Sequence, residues 1–530
     1  MNVLISSSPS PRRAVWTAAV GLCTALVAFS GGQTVQAATP AGTLVVGKSS
    51  DPQNLDPAFT MDNNDWTQTY PSYQRLIRYK VEKGKGSTNV EGDLAASWTA
   101  SKDSLTWEFK LRSGQKFDDG TAVDAAAVKF SFERLMKIAQ GPSEPFPADL
   151  KVTVVDPMTV KFTMAKVCPY FLYALANNGG AIINPNVMKM AQGNDDAKGW
   201  LSSHTAGSGP FKLTSWTKGQ SLVLDRNPYY GGKKPTLERM VVKIIGEASS
   251  RRLQLESGDL DVVETLPVDQ MAEVGKKPDL MVAENPSLLC TYLYLNNKKA
   301  PLNNPEVRQA IAWAVDYNGI IKSIMKGQAK QMRGAIPEGM WGYDPGVLQY
   351  RTDLAKAKEL LAKNHITSLN LGFLYSNRDP NWEPIALSTQ AQLAQVGINV
   401  KMESMANASM RERISKADFD ISIGNWSPDF ADPYQFTNSW FDTQNHGLAG
   451  NRSFYANAEV DKLVREAASI SDQKKRTALY QQAQKIAVNE AAYVFLFQRN
   501  SQVAMRKAVS GLVFNPMLEQ IFNIDTITKK

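Results

Sequence analysis

One strand–helix–strand unit constrains the fold of this chain more than any other feature. Val241, Val242, Ile244 and Ile245 form an apolar strand candidate, and 249–257 reads as a helix. Gly258 stands where a helix closes in the left-handed conformation, and Val262-Val263 restarts a strand. Two strands joined through a helix imply a parallel pair, so the region is predicted to be α/β. The 530 residues, at roughly 100–200 per domain, suggest two to four domains, and 43% hydrophobic content gives each a core. Cys23, Cys168 and Cys290 show no paired spacing, which excludes a disulfide scaffold or zinc ribbon.

Similar elements recur along the chain. A buried strand is expected at 43–47. Leu105, Trp107, Phe109 and Leu111 alternate with Thr106, Glu108, Lys110 and Arg112, the pattern of a half-buried strand. Asp124 opens a helix carrying Val128, Phe132 and Leu135 on one face. Phe211, Leu213 and Trp216, then 222–224, read as a hairpin ending at Arg226-Asn227-Pro228. A second α/β region begins near Cys290. There Asn304 and Pro305 start a helix with Val307, Ala310, Ile311 and Ala314 inward. A helix at 353–363, strand 369–374, helix 386–396, Gly397, and strands 398–402 and 419–423 complete a doubly wound lobe. Helices at 458–468 and 474–488 then lead to strand 493–497, which is expected to return to the first lobe. Two lobes crossed repeatedly by one chain define a cleft.

The first 37 residues are charged only at Arg12 and Arg13, with an apolar run over 14–29 followed by Ser30-Gly31-Gly32 and Val35-Gln36-Ala37. This reads as an export signal cleaved after Ala37. A membrane anchor needs about 20 apolar residues, and a lipoprotein signal needs a small residue before Cys23, where Leu22 stands. Twin-arginine export is the weaker alternative, since Pro11 precedes the pair. Losing the segment removes two of the eight net positive charges and leaves +6. Spread over the mature chain, that charge implies no nucleic-acid surface, and Lys80 to Lys85 is expected to be a solvated loop. No later stretch reaches about 18 uninterrupted apolar residues, so the mature protein is expected to be soluble outside the cytoplasm.

Catalytic signatures are sparse. His204, His365 and His446 are scattered, and no HExxH, nucleophile elbow or Walker loop occurs. Gly207-Ser208-Gly209-Pro210 lacks the further glycine and the lysine of a phosphate loop and reads as a structural turn. A triad assembled from distant residues stays open, because triads are defined by geometry. The informative segment is 424–433, Gly-Asn-Trp-Ser-Pro-Asp-Phe-Ala-Asp-Pro, placed directly after a strand and thus at a crevice edge. A carboxylate beside an aromatic ring suits a ligand presenting an ammonium group. Asp429 is accordingly a ligand-binding candidate or, alternatively, a turn residue.

Gly92-Asp93-Leu94-Ala95-Ala96-Ser97-Trp98, Lys116-Phe117, Asp119-Gly120, Val128-Lys129-Phe130-Ser131-Phe132, Arg226-Asn227-Pro228-Tyr229-Tyr230-Gly231, Leu293-Tyr294-Leu295-Asn296-Asn297 and Pro305-Glu306-Val307-Arg308-Gln309-Ala310 occur in an order that resembles the family 5 extracellular solute-binding proteins. These are the peptide and nickel binders of ABC importers, and the likeness covers essentially the whole mature chain. It implies a two-lobed clamshell fold of the periplasmic-binding-protein type, with an extra α/β domain in the first lobe. The expected division is 1–37 signal, 38–72 first lobe, 73–183 inserted domain, 184–285 first lobe, 286–491 second lobe and 492–530 first lobe again.

In peptide-binding members an aspartate after the corresponding strand holds the peptide ammonium. Asn425-Trp426-Ser427-Pro428-Asp429 looks like that stretch. The resemblance also suggests an arginine for the ligand carboxylate in the loop after 369–374, where Arg378 lies; a solvated arginine is the alternative. Trp341 and Trp382 are cleft candidates, with core or surface roles as the alternatives. Oligopeptide binders pair the cysteine matched by Cys290 with one at the place of Ser427, and carry an arginine where Ile423 stands. Cys290 is therefore expected to be a free thiol, with a Cys168–Cys290 bridge as the alternative, and short peptides are favoured. The implied protein is a monomeric periplasmic binding subunit that closes by a hinge on a dipeptide or short peptide and passes it to a membrane permease. Catalysis, cofactor and metal are not expected. Glutathione, an opine, a nickel chelate or an oligosaccharide are alternative ligands, and a secreted peptide hydrolase is the different-class alternative.

Overall fold

The structure is a computed structural model describing residues 39–60, 62–519 and 523–530. The expected export signal and Cys23 lie outside the described residues. Among those residues no helix is long and apolar enough to cross a membrane.

One mixed sheet organises most of the chain. Its order is Ile398–Met405, Leu369–Ser376, Ile421–Trp426, Leu280–Leu295, Tyr493–Arg506, Val262–Glu264, Thr43–Lys48, Arg239–Ile244, Ser221–Arg226 and Phe211–Thr217. The predicted strand–helix–strand unit is present, with a refinement. Arg239–Ile244 and Val262–Glu264 are not neighbours; Thr43–Lys48 lies between them and pairs parallel to both. Gly258 closes the intervening helix Ala248–Ser257 at φ 95°.

Two long antiparallel strands join the lobes. Leu280–Leu295 and Tyr493–Arg506 pair at one end beside Val262–Glu264 and at the other beside Ile421–Trp426. Their register slips between Pro286 and Cys290. A second slip follows between Thr291 and Tyr292, and such breaks disrupt the ladder locally. Separate apolar clusters fill the two ends. Leu44, Val46, Leu222, Leu224, Val242 and Met505 belong to one, and Leu293, Leu374, Ile421, Trp440 and Val494 to the other.

A distinct four-stranded antiparallel sheet, Ala95–Ala100, Thr106–Leu111, Thr159–Thr163 and Lys151–Asp156, carries the predicted alternation. Phe109 and Phe162 meet edge-on at 5.5 Å, and Phe132 of helix Ala125–Ile138 reaches Phe162 at 5.0 Å. The helix begins at Asp124, whose side chain accepts from the Ala127 N–H; Asn304 and Asp353 cap their helices likewise.

Three local expectations are corrected. The 80–85 stretch is a hairpin, Ile77–Glu82 with Lys85–Gly92, rather than a loop. Lys83 and Gly84 adopt φ 51° and 77°, the left-handed pair that reverses two strands tightly. The helix expected at 386–396 starts at Trp382, because Pro384 occupies its first turn, where the missing N–H costs nothing. The strand expected at 419–423 runs to Trp426, as its pairing with Cys290–Leu295 continues that far.

The turn at 207–210 is structural. A side chain on Gly207 or Gly209 would meet the Ser72 or Pro71 carbonyl oxygen at 2.2 or 2.3 Å, so glycine is required by close backbone packing.

Candidate functional site

Because the 421–426 strand is longer than expected, Asn425 and Trp426 belong to its last residues and the loop begins at Ser427. Trp426 pairs in register with Cys290. The loop beyond is clasped on several sides. The Asp429 N–H donates to the Gln435 Oε1 at 3.2 Å, and its carbonyl accepts from Asn177 Nδ2 at 2.6 Å. Phe430 stacks on Tyr170 at 4.5 Å, and the Ala431 N–H donates to the Tyr79 hydroxyl at 3.3 Å. Trp341 Nε1 donates to the Ala431 carbonyl at 3.0 Å. Asp432 and Arg476 form a buried two-pronged ion pair, both bonds 2.8 Å.

The backbone of Asp429 is thus fixed while its carboxylate has no ion-pair or hydrogen-bond partner among the described residues. It borders a cavity of about 190 Å³ together with Trp66, Glu144, Tyr170, Trp426 and Tyr434. Burial, with a smaller contribution from Glu144, pushes the carboxyl up to about 6. The Asp429 carboxylate therefore stands in a partly enclosed, aromatic-walled space without a counter-charge among the described residues.

Trp426 also borders a second cavity, of about 320 Å³. Arg378, Asn425 and Ser427 border it, with Trp382, Arg411 and Arg452. Four of the five candidate residues therefore share one cavity, and Asp429 lies in the adjoining one, with Trp426 common to both. Trp382 is a buried wall of the second cavity, whereas Trp341 borders neither and braces the loop instead. Arg411 and Arg452 carry no local sequence signal. Arg411 is an exposed member of helix Asn407–Ser415, and Arg452 sits in a polar loop, with its guanidinium 5.3 Å from the Trp426 ring.

Cys168 and Cys290 are both unbonded and buried, so the bridge alternative is not realised. Burial pushes the Cys168 thiol up to about 12 and holds Cys290 well above its ordinary range, which makes both poor nucleophiles. No group of three or more His, Cys, Asp and Glu suited to a metal ion occurs among the described residues.

The fold and cleft are those of a class defined by sequence as well. Residues 89–447 match the model described as bacterial extracellular solute-binding proteins, family 5, middle, and the chain belongs to that family. Its architecture is accordingly the two-lobed fold of that family. Among relatives, the chain is 58% identical over 505 residues to the probable D,D-dipeptide-binding periplasmic protein DdpA of Escherichia coli K12, covering 95% of this chain and 98% of that one. It is 28% identical to the dipeptide-binding protein of the same organism, covering 91% and 94%. Among solved structures, the periplasmic binding protein DppA of Helicobacter pylori with the peptide STSA superposes with TM-score 0.78 at 29% identity, covering 92% and 98%.

Proposed function

We propose that this chain is the periplasmic receptor of an ABC importer and captures dipeptides of the D,D series between its lobes. The carrying observation is the lone Asp429 carboxylate in one cavity and the Arg378 guanidinium in another, both bordered by Trp426. A dipeptide ends in an ammonium and a carboxylate, so a single short ligand can satisfy both. The 58% identical relative, named for D,D-dipeptides, supports the stereochemical assignment. Residues 1–37 direct export and are removed after Ala37. The monomer binds, closes about the 286–290 break, and presents the closed form to the permease.

Closure follows from contacts to both lobes, since only a ligand that binds the closed form better can shift the balance. The peptide leaves chemically unchanged. Calorimetry with D-Ala-D-Ala and L-Ala-L-Ala tests the reading: the D,D peptide binds more tightly, and it is recovered intact by chromatography. Equal affinity for both overturns the stereochemical assignment, binding by neither overturns peptide capture, and sustained cleavage indicates a hydrolase.

A further inference from the structure

Among residues 286–506 several arginines are ion-paired, while Arg308 and Arg333 bond backbone carbonyls. Arg413 contacts Glu403 at 2.5 Å and Asp418 at 2.8 Å, Arg465 contacts Asp442 at 2.6 Å, and Arg476 contacts Asp432 at 2.8 Å. Arg499 contacts Asp379 at 2.8 Å. The cavity beside Trp426 is distinguished by bringing three arginines together. Arg378, Arg411 and Arg452 all border it, and among the described residues none of them lies within ion-pair distance of a carboxylate. Partial desolvation first, and then the like charges of Arg452 and Arg378, lower the Arg411 guanidinium below the ordinary arginine range. Glu519 also borders the cavity, and burial pushes its carboxyl up to about 7, with Arg499 opposing and Glu264 adding to the rise.

Arg452 is also pre-positioned. Its Nε donates to the Leu448 carbonyl at 2.8 Å, and the Trp426 ring supports the guanidinium face. One dipeptide carboxylate occupies one arginine fork, or bridges two. Three converging guanidiniums then keep positive charge that a second anionic group would neutralise. Asn425 and Ser427 add neutral polar groups at the same wall.

Resting on the dipeptide reading, we infer that this cavity selects ligands with two carboxylates, specifically dipeptides whose second residue is Asp or Glu. Arg378 takes the terminal carboxylate, and Arg411 and Arg452 take the side-chain carboxylate. The Glu/Gln pair is a clean probe because the two side chains share shape and hydrogen-bonding reach but differ by one charge.

The test is calorimetry of the mature protein with D-Ala-D-Glu against D-Ala-D-Gln, repeated in the L series, with glutathione as a further dicarboxylate. The expected result is a Glu-over-Gln preference of about tenfold or more, the size of one charge-assisted pair in a partly exposed cleft. Arg411→Gln and Arg452→Gln should each compress that ratio towards about twofold, as loss of one such pair implies. Equal affinity for the Glu and Gln peptides, or an unchanged ratio in both variants, overturns the inference while leaving dipeptide capture intact. A strong preference for glutathione over every dipeptide supports the two-carboxylate requirement but overturns the assignment to acidic dipeptides. Failure of all dipeptides and glutathione to bind overturns the dipeptide reading and the inference with it.

Discussion

Asn177 Nδ2 donates a hydrogen bond of 2.6 Å to the backbone carbonyl of Asp429, across 252 positions of sequence. The asparagine is itself fixed from behind, since its own carbonyl accepts from Arg75 Nε at 2.8 Å and its Oδ1 accepts from the Asn178 N–H at 2.6 Å. Arg75 is buried and lies 3.6 Å from the Tyr70 ring. A rigid chain of contacts therefore sets the height of the Asp429 backbone, and with it the carboxylate, in the cleft.

Asn177→Ala removes that support at the edge of the Asp429 cavity. The side chain makes two hydrogen bonds, to the Asp429 carbonyl and from the Asn178 N–H; loss of the one that reaches Asp429 should lower peptide affinity by about fivefold, corresponding to about 1 kcal/mol. Calorimetry beside thermal unfolding checks this: affinity falls while the melting temperature moves by only a few degrees. Unchanged affinity would mean that the loop is positioned by Tyr79, Tyr170 and Trp341 alone.

Asp429 predicts a pH dependence with a definite sign. An ammonium ligand needs the ionised carboxylate, and the unliganded group titrates near 6. Affinity should be flat above that value and fall by up to about tenfold per pH unit below it. The unliganded fold responds oppositely. A carboxyl raised above its ordinary value favours the protonated form, so its contribution to stability is present below 3.8 and lost as pH rises towards about 6. Asp429→Asn should thus bind poorly yet gain about 1 kcal/mol at pH 7, after allowing for solvent at the cleft. Chemical unfolding at pH 5 and pH 7 measures the difference; an equal effect at both would show that burial does not govern this group.

The Asp432–Arg476 pair predicts a structural failure of a different kind. Asp432→Ala leaves a buried guanidinium unpaired beneath the loop and should cost about 3–5 kcal/mol. The double variant Asp432→Ala/Arg476→Met removes both charges and should recover a large part of that loss. Denaturant titration of the single and double variants distinguishes them, and additive losses would contradict the pairing.

Sequence patterns reached the parts of the molecule that local rules govern. Asp124, Asn304 and Asp353 announced their helices because a cap is decided within three residues. The 105–112 strand announced itself because alternation is a property of one face. The Trp426–Asp429 stretch was legible through its place at a strand end and through family likeness. Asn177, Arg411 and Arg452 were not, because nothing within reach along the chain distinguishes them from ordinary surface residues. Their roles arise where the sheet order and the separate antiparallel sheet bring distant segments together. The position of Thr43–Lys48 between the two strands of the predicted unit was hidden for the same reason, since pairing partners are a choice of topology. The 80–85 hairpin was misread on charge, although Lys83-Gly84 held the turn signal.

The recognition of an amine by Asp429 is tested most directly by titrating the wild-type protein and Asp429→Ala with D-Ala-D-Ala and its N-acetylated form. Free peptide should bind the wild type, and acetylation or Asp429→Ala should each weaken binding by at least about 30-fold, the lower end for a buried charged partner. The two losses should not add, because they remove opposite halves of one contact. Equal binding of free and acetylated peptide by both proteins would contradict amine recognition at Asp429.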